Sequence, residues 1–273
     1  MDGTRVKNII IGLLVLVNLF LLAMFLRDKA ESAEVRREAQ KQVSAVLADS
    51  GISLLSDVPW DAEPMSCSLC RDLSAEQKMT ASVLGRCHVQ DLGGNILFYK
   101  SEKGEARFRG TGEFQIMPYM GEVAGGSDQV NTAVAILRKM GIESDPETAT
   151  VERGGETTTI TLTCMFRGEN VYNCKVGFLF SSEYLLMIDG RRPMEYSAEQ
   201  PAEALDAATM LLHYVSELRT GGLICSEIRS VELGWLMSAS ASGDGTMTPF
   251  WKIETDVGQN YLNGLTGKID SIV

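Results

Sequence analysis

Cysteine is the residue type in this chain with the most chemistry to offer, at positions 67, 70, 87, 164, 174 and 225. Cys67-Ser68-Leu69-Cys70 is a C-x-x-C pair, and Cys87-His88 follows it. A redox pair works through a thiolate stabilised at a helix N-terminus. The capping-box pattern Ser74-Ala75-Glu76-Gln77 can start a helix shortly after Cys70. No thioredoxin-like βαβ pattern surrounds the pair, however. Cys67, Cys70, Cys87 and His88 also have the ligand types of a zinc site, although adjacent residues seldom both reach one metal. Arg71 stands where covalent haem attachment needs a histidine. Structural disulfides or free thiols outweigh both readings.

Cys164 and Cys174 are sharper, because a hairpin centred on Glu169 places them directly opposite each other. Cross-strand Cβ atoms lie about 4.5–5.5 Å apart, so a disulfide needs a closer than average approach. Two buried apolar thiols are the equal alternative. Other catalytic patterns are missing: there is no G-x-S-x-G, no P-loop and no H-E-x-x-H. His213 stands next to apolar Leu212 in a helical stretch and reads as a surface or half-buried side chain. Gly264 to Lys268 reads as a turn. No catalytic residue, cofactor or firm metal ligand is assigned, and the chain is not expected to be an enzyme.

The elements that must position these residues begin with an apolar run, Asn8 to Leu26, which holds no charge and one strongly polar interior residue, Asn18. As a helix it is about 28 Å long, close to a bilayer core of about 30 Å. The expectation is an uncleaved single-pass transmembrane anchor. The run is too long for an ordinary signal peptide, and no small-x-small site directly follows it. Lys/Arg counts on its two flanks do not settle the orientation. A formal charge of −11 argues against a nucleic-acid partner.

After the anchor, charged residues with a thin stripe of Val35, Ala39, Val43, Val46 and Leu47 predict a stalk helix ending at Gly51. Strands are expected at 95–100, 106–110 and 113–117, and a helix after Ser127 that stops at Gly141. A meander covers 157–166, 171–180 and 184–189. Ser197 with Gln200 is read as opening the next helix, whose stripe is Leu205, Ala208, Leu212, Val215 and Leu218. Strand-like pieces at 226–237, 249–255, 259–262 and 268–272 close the chain. The expected fold class is α+β: a single N-terminal transmembrane helix followed by two antiparallel-sheet-plus-helix units. The expected division is 1–27 for tail and anchor, 28–145 for stalk and first unit, and 146–273 for the second unit.

The last block carries a resemblance. Val231-Glu232-Leu233-Gly234-Trp235, Pro249-Phe250-Trp251-Lys252-Ile253 and Tyr261-Leu262-Asn263-Gly264-Leu265-Thr266-Gly267-Lys268-Ile269 resemble the end of the YycI family, and more distantly YycH and PepSY-like modules. The stretch Asn18-Leu19-Phe20-Leu21-Leu22 after Lys7 is similar to that family's anchor, although Gly3 stands where a tryptophan usually follows the initial Asp. The cysteines have no counterpart in the family. The resemblance implies a membrane-anchored extracytoplasmic regulator of a WalK/YycG-type sensor histidine kinase controlling cell-wall metabolism in Gram-positive bacteria. It also implies a cytoplasmic N-terminus, a YycH-like companion, and bilayer contact through residues 8–26. Asn18 is then the candidate for a hydrogen bond to a partner helix. The alternatives are a membrane-tethered thiol redox or zinc protein using Cys67, Cys70 and Cys87, and a PepSY-like protease inhibitor.

Overall fold

A computed structural model of the chain describes residues 3–62, 64–200, 204–221 and 224–270; within these, the side chains of many residues in 3–33 and of 199–200 are outside the description. The molecule divides into two compact units, Met1–Leu54 and Leu55–Val273. The first is one helix, α1 (Gly3–Asp49), and a two-residue strand, β1 (Ser53–Leu54). Gly51 takes φ +73°, and the Ile52 amide donates to the Leu47 carbonyl at 2.9 Å, which closes the helix end in a left-handed turn.

The expected single-pass anchor is corrected here. Among the described residues no helix is long and apolar enough to cross a membrane. Of the run 8–26, the described side chains are Leu13, Leu14, Val17, Asn18, Phe20, Leu21, Leu22 and Met24. The rest of the run lies outside the described residues.

The second unit is built three times over from the same order, one helix followed by a four-strand antiparallel meander. The first repeat is α2 (Leu73–Leu84), β3 (His88–Asp91), β4 (Ile96–Lys100), β5 (Gly104–Arg109) and β6 (Glu113–Pro118). The second is α3 (Gln129–Met140), β7 (Ser144–Gly154), β8 (Thr157–Phe166), β9 (Glu169–Phe180) and β10 (Leu185–Arg191). The third is α4 (Ala207–Gly221), β12 (Glu227–Ala239), β13 (Asp244–Thr255), β14 (Gly258–Asn263) and β15 (Ile269–Asp270). Two further strands, β2 (Ser66–Cys70) and β11 (Glu195–Gln200), pair with each other, and β2 lies on β13 beyond the reach of β14. The two expected sheet-plus-helix units are therefore corrected to a mostly sheet fold with few helices.

Two junctions fuse the meanders. β10 pairs antiparallel with β6, with Ile188 opposite Ile116, which joins the first repeat to the second. The third meets the second at a single parallel bridge, Trp235 opposite Val171. There the Asn173 side chain acts as a stretch of strand: Nδ2 donates to the Met237 carbonyl and Oδ1 accepts from the Met237 amide, both at 2.9 Å. The core runs through both junctions. Tyr99, Phe108, Ile116, Leu137, Ile160, Val176, Phe178, Trp235 and Met247 belong to one buried cluster.

Helices cover only one face of the first two meanders. Met79 and Leu84 of α2 and Ala133, Leu137 and Met140 of α3 enter that cluster. Each helix starts at an aspartate: Asp72 Oδ1 accepts from the Ser74 amide at 2.8 Å, and Asp128 Oδ1 accepts from the Asn131 amide at 3.0 Å. Gly141, at φ +76°, ends α3. The opposite face of β4, β5, β6, β10 and β9 carries half-buried and exposed side chains.

Candidate functional site

The cysteine chemistry does not assemble. Cys67 and Cys70 both lie on β2, Cys67 opposite Glu199 and Met247, Cys70 opposite Glu195 and Asp244. Residues three apart on a strand leave opposite faces of the sheet, so the pair is split between a buried Cys67 and a half-buried Cys70. The helix that follows is capped by Asp72 rather than opened by a thiol. Cys87 donates to the Gly85 carbonyl at 3.3 Å, and burial pushes its thiol up, away from the thiolate a redox centre needs. His88 opens the exposed strand β3. Among the described residues no three His, Cys, Asp or Glu side chains form a group that could hold a metal ion.

Cys164 and Cys174 are both fully buried and remain free thiols. Their strands pair as expected through Leu162 opposite Val176 and Thr163 opposite Lys175, but the register then slips, and Met165 meets Asn170. The slip falls in the stretch that would have set the two thiols squarely across from each other. Cys164 directs its sulfur at the Arg191 carbonyl, 3.8 Å away. Burial pushes both thiols up, Cys174 to about 12, so both are neutral thiols at physiological pH. Asn18 folds back on its own helix, its Nδ2 donating to the Leu14 carbonyl at 2.8 Å.

What the fold brings together is a buried cluster of charge. Arg71, at the end of β2, grips Glu76 of α2 with two parallel hydrogen bonds of 2.8 Å, Nε to Oε1 and Nη2 to Oε2. The side chains are 7% and 1% exposed. Arg71 Nη1 also donates to the carbonyl and side-chain oxygens of Asn95, at 2.6 and 2.7 Å. Arg192, 2% exposed, approaches the same carboxylate from the loop after β10, at 3.6 Å. Its Nη1 donates to Glu195 Oε1 at 2.8 Å and to the Pro193 carbonyl at 2.9 Å. Glu195 in turn accepts from the Asp72 amide at 3.2 Å. Tyr99 lies alongside, its hydroxyl pushed up to about 12 by burial, with the Glu76 carboxylate adding to the effect.

Two arginines and two glutamates thus compensate each other, as buried charges must. The cluster ties β2, α2, the start of β4 and the β10–β11 loop to one point. Beside it lies a 290 Å³ cavity whose walls include Met79, Ile142, Met165, Phe166, Arg192 and Glu195. The chemistry of the set is clamping: guanidiniums held by carboxylates and carbonyls, with both carboxylates engaged by arginine. From the sequence, Arg71 stood out only as a misfit to haem attachment, and Glu76 only as part of a capping box. The Arg191-Arg192-Pro193 run at a strand end was the remaining trace of it.

The block that carries the family resemblance comes together as one meander. Trp235 of β12 faces Pro249 of β13, Leu233 faces Trp251, and Trp251 faces Leu262 of β14. Trp251 is fully buried and donates its Nε1 to the Leu205 carbonyl at 3.2 Å, which fastens the lead-in to α4 onto the sheet. Asn263 shapes the following turn, its side-chain oxygen accepting from the Leu265 amide at 2.9 Å. Beyond that turn, Gly267 packs against the His213 ring of α4.

No protein-family model matches the chain, and neither does any curated protein. Among solved structures, an uncharacterized protein from Eubacterium rectale is similar over 81% of this chain and 91% of its own, at 10% sequence identity and a TM-score of 0.46. The Bacillus megaterium YpeB C-terminal domain is similar over 75% of this chain and 98% of its own, at 8% identity and a TM-score of 0.38. Both are weak structural neighbours, and the YycI and YycH families have no counterpart in the comparisons.

Proposed function

We propose that this protein is a non-enzymatic regulator, an extracytoplasmic accessory of a sensor histidine kinase that acts by protein–protein contact. The observation that carries this reading is the Arg71–Glu76–Arg192–Glu195 clamp. The strongest polar chemistry of the molecule is spent on holding its own elements in register. A body braced in this way, with one sheet face left uncovered by helices, suits binding better than turnover. Support for a kinase as the partner comes from the resemblance of the β12–β13–β14 meander to the YycI end, and from that alone.

The test is a pull-down with the full chain from membranes of a cell that contains such a kinase, alongside kinase autophosphorylation with and without the chain. Co-purification of the kinase together with a changed phosphorylation rate is expected. Absence of the kinase and an unchanged rate would reject the proposal.

A further inference from the structure

Over β4, β5, β6, β10 and β9, the sheet face left open by the helices has a charge opposite to that of the chain. Strand register places its side chains in rows. One row runs Phe98, Arg107, Gln115, Asp189 and Gly177, and its neighbour starts Ile96, Arg109 and continues to Glu113 and Arg191. A third runs Lys100, Glu105, Met117, and Met187 with Leu179. Lys175 stands on the same face of β9, two residues from Gly177. Over these five strands five basic side chains share the face with three acidic ones, on a chain whose formal net charge is −11, and the face turns acidic again at Asp145 and Glu152 of β7.

Arg107, Arg109, Glu113, Gln115, Asp189 and Arg191 line a 440 Å³ depression at its centre. Gly177, opposite Asp189, has no side chain that would crowd it. Burial pushes the Asp189 carboxyl up, which reflects how far the floor of the depression is withdrawn from water.

We infer that this face docks an acidic polypeptide segment that carries apolar side chains among its carboxylates. Arg107 and Arg109 are two residues apart on one strand face, about 7 Å, which is also the repeat of alternate side chains in an extended peptide. Guanidinium groups accept carboxylates in paired hydrogen bonds. The chemistry beside the arginines selects a polypeptide over a phosphate polymer. Half-buried Ile96 and Phe98 flank them on one side, and Met117, Met187 and Leu179 lie beyond them on the other. Phosphate chains have nothing to offer those side chains. A long polyanion would also run off the face onto a surface of its own sign, whereas a short segment stays within it.

This deepens the binding-module reading and rests on it. The experiment uses the full chain and a short labelled peptide of Asp, Glu and Leu, followed by fluorescence anisotropy at low and moderate salt. Binding is expected that weakens as salt rises, and that falls by at least about tenfold in Arg107→Glu/Arg109→Glu. It should fall similarly when the peptide's Asp and Glu become Asn and Gln. Arg107→Gln/Arg109→Gln, a milder change at two exposed positions, should give an intermediate loss with an unchanged circular dichroism spectrum.

Absence of binding to the native chain overturns the inference, as does full binding by the charge-reversed variant. Polyphosphate displacing the peptide at equal charge concentration overturns it in favour of a phosphate ligand. Failure of the peptide alongside continued co-purification of the kinase rejects this face and leaves the regulator reading standing. Peptide binding without kinase co-purification does the reverse.

Discussion

Glu76 meets two arginines at once, and Arg71 would lose its carboxylate partner without it. Arg71 and Arg192 are almost wholly buried, and Glu195 reaches only the second. Removing one partner of a buried charge set costs about 3–5 kcal/mol, because the remaining charge stays desolvated. Glu76→Gln keeps the shape and removes the charge, so it should lower stability by about that amount. Urea denaturation should show the midpoint falling with an unchanged slope. A loss within about 0.5 kcal/mol, typical of a surface substitution, would show that the cluster is solvated and does not clamp the fold. None of this was legible from spacing. The four residues stand at 71, 76, 192 and 195, and only tertiary structure makes the first two neighbours of the last two.

At the scale of elements, the junction between the second and third repeats rests on very little backbone pairing, one bridge at Trp235 and Val171. The Asn173 amide extends that pairing by bonding both Met237 backbone groups, beside the Tyr172 hydroxyl on the Glu232 carbonyl. Asn173→Leu should cost about 1–3 kcal/mol, since it leaves buried backbone groups unsatisfied. Hydrogen exchange at the Met237 amide should accelerate more than at Trp235. Equal protection at the two sites would show that other contacts carry the junction.

Many elements were readable in advance. Strand β8 was expected at 157–166 and has those bounds, and α3 stops at Gly141 as its glycine and apolar spacing imply. The misses have physical causes. No strand is expected over 144–154, where Pro146 follows the helix stop; β7 is an edge strand there, and its register slips between Asp145 and Thr150, where a proline is tolerated. Ser197 and Gln200 imitated a capping box, yet 195–200 is a strand, since its pairing with β2 supplies more than a cap can. α2 begins at Leu73, one residue before Ser74, because Asp72 is the better-placed acceptor.

For the whole molecule, the threefold order of helix and meander escaped the sequence because its strands differ in length. The first repeat uses strands of 4 to 6 residues and the second strands of 7 to 12. No fixed period survives such variation, even though the order of elements does. The buried cluster crosses both junctions, from Tyr99 and Phe108 to Trp235 and Met247. Residues 55–273 should therefore unfold in a single cooperative step. Tryptophan fluorescence and far-ultraviolet circular dichroism should give superimposable urea curves, and separated midpoints would mean that the repeats are independent.

The clamp also sets a timetable for synthesis. Arg71 and Glu76 leave the ribosome together, but Arg192 follows 116 residues after Glu76. At the usual pace of translation that is a wait of roughly 6–23 s. During this interval α2 and the first meander exist without the second arginine or Glu195, and Glu76 has only its local partner. Until β10 and Glu195 have been made, Arg71 is the one arginine of the clamp available to compensate that carboxylate.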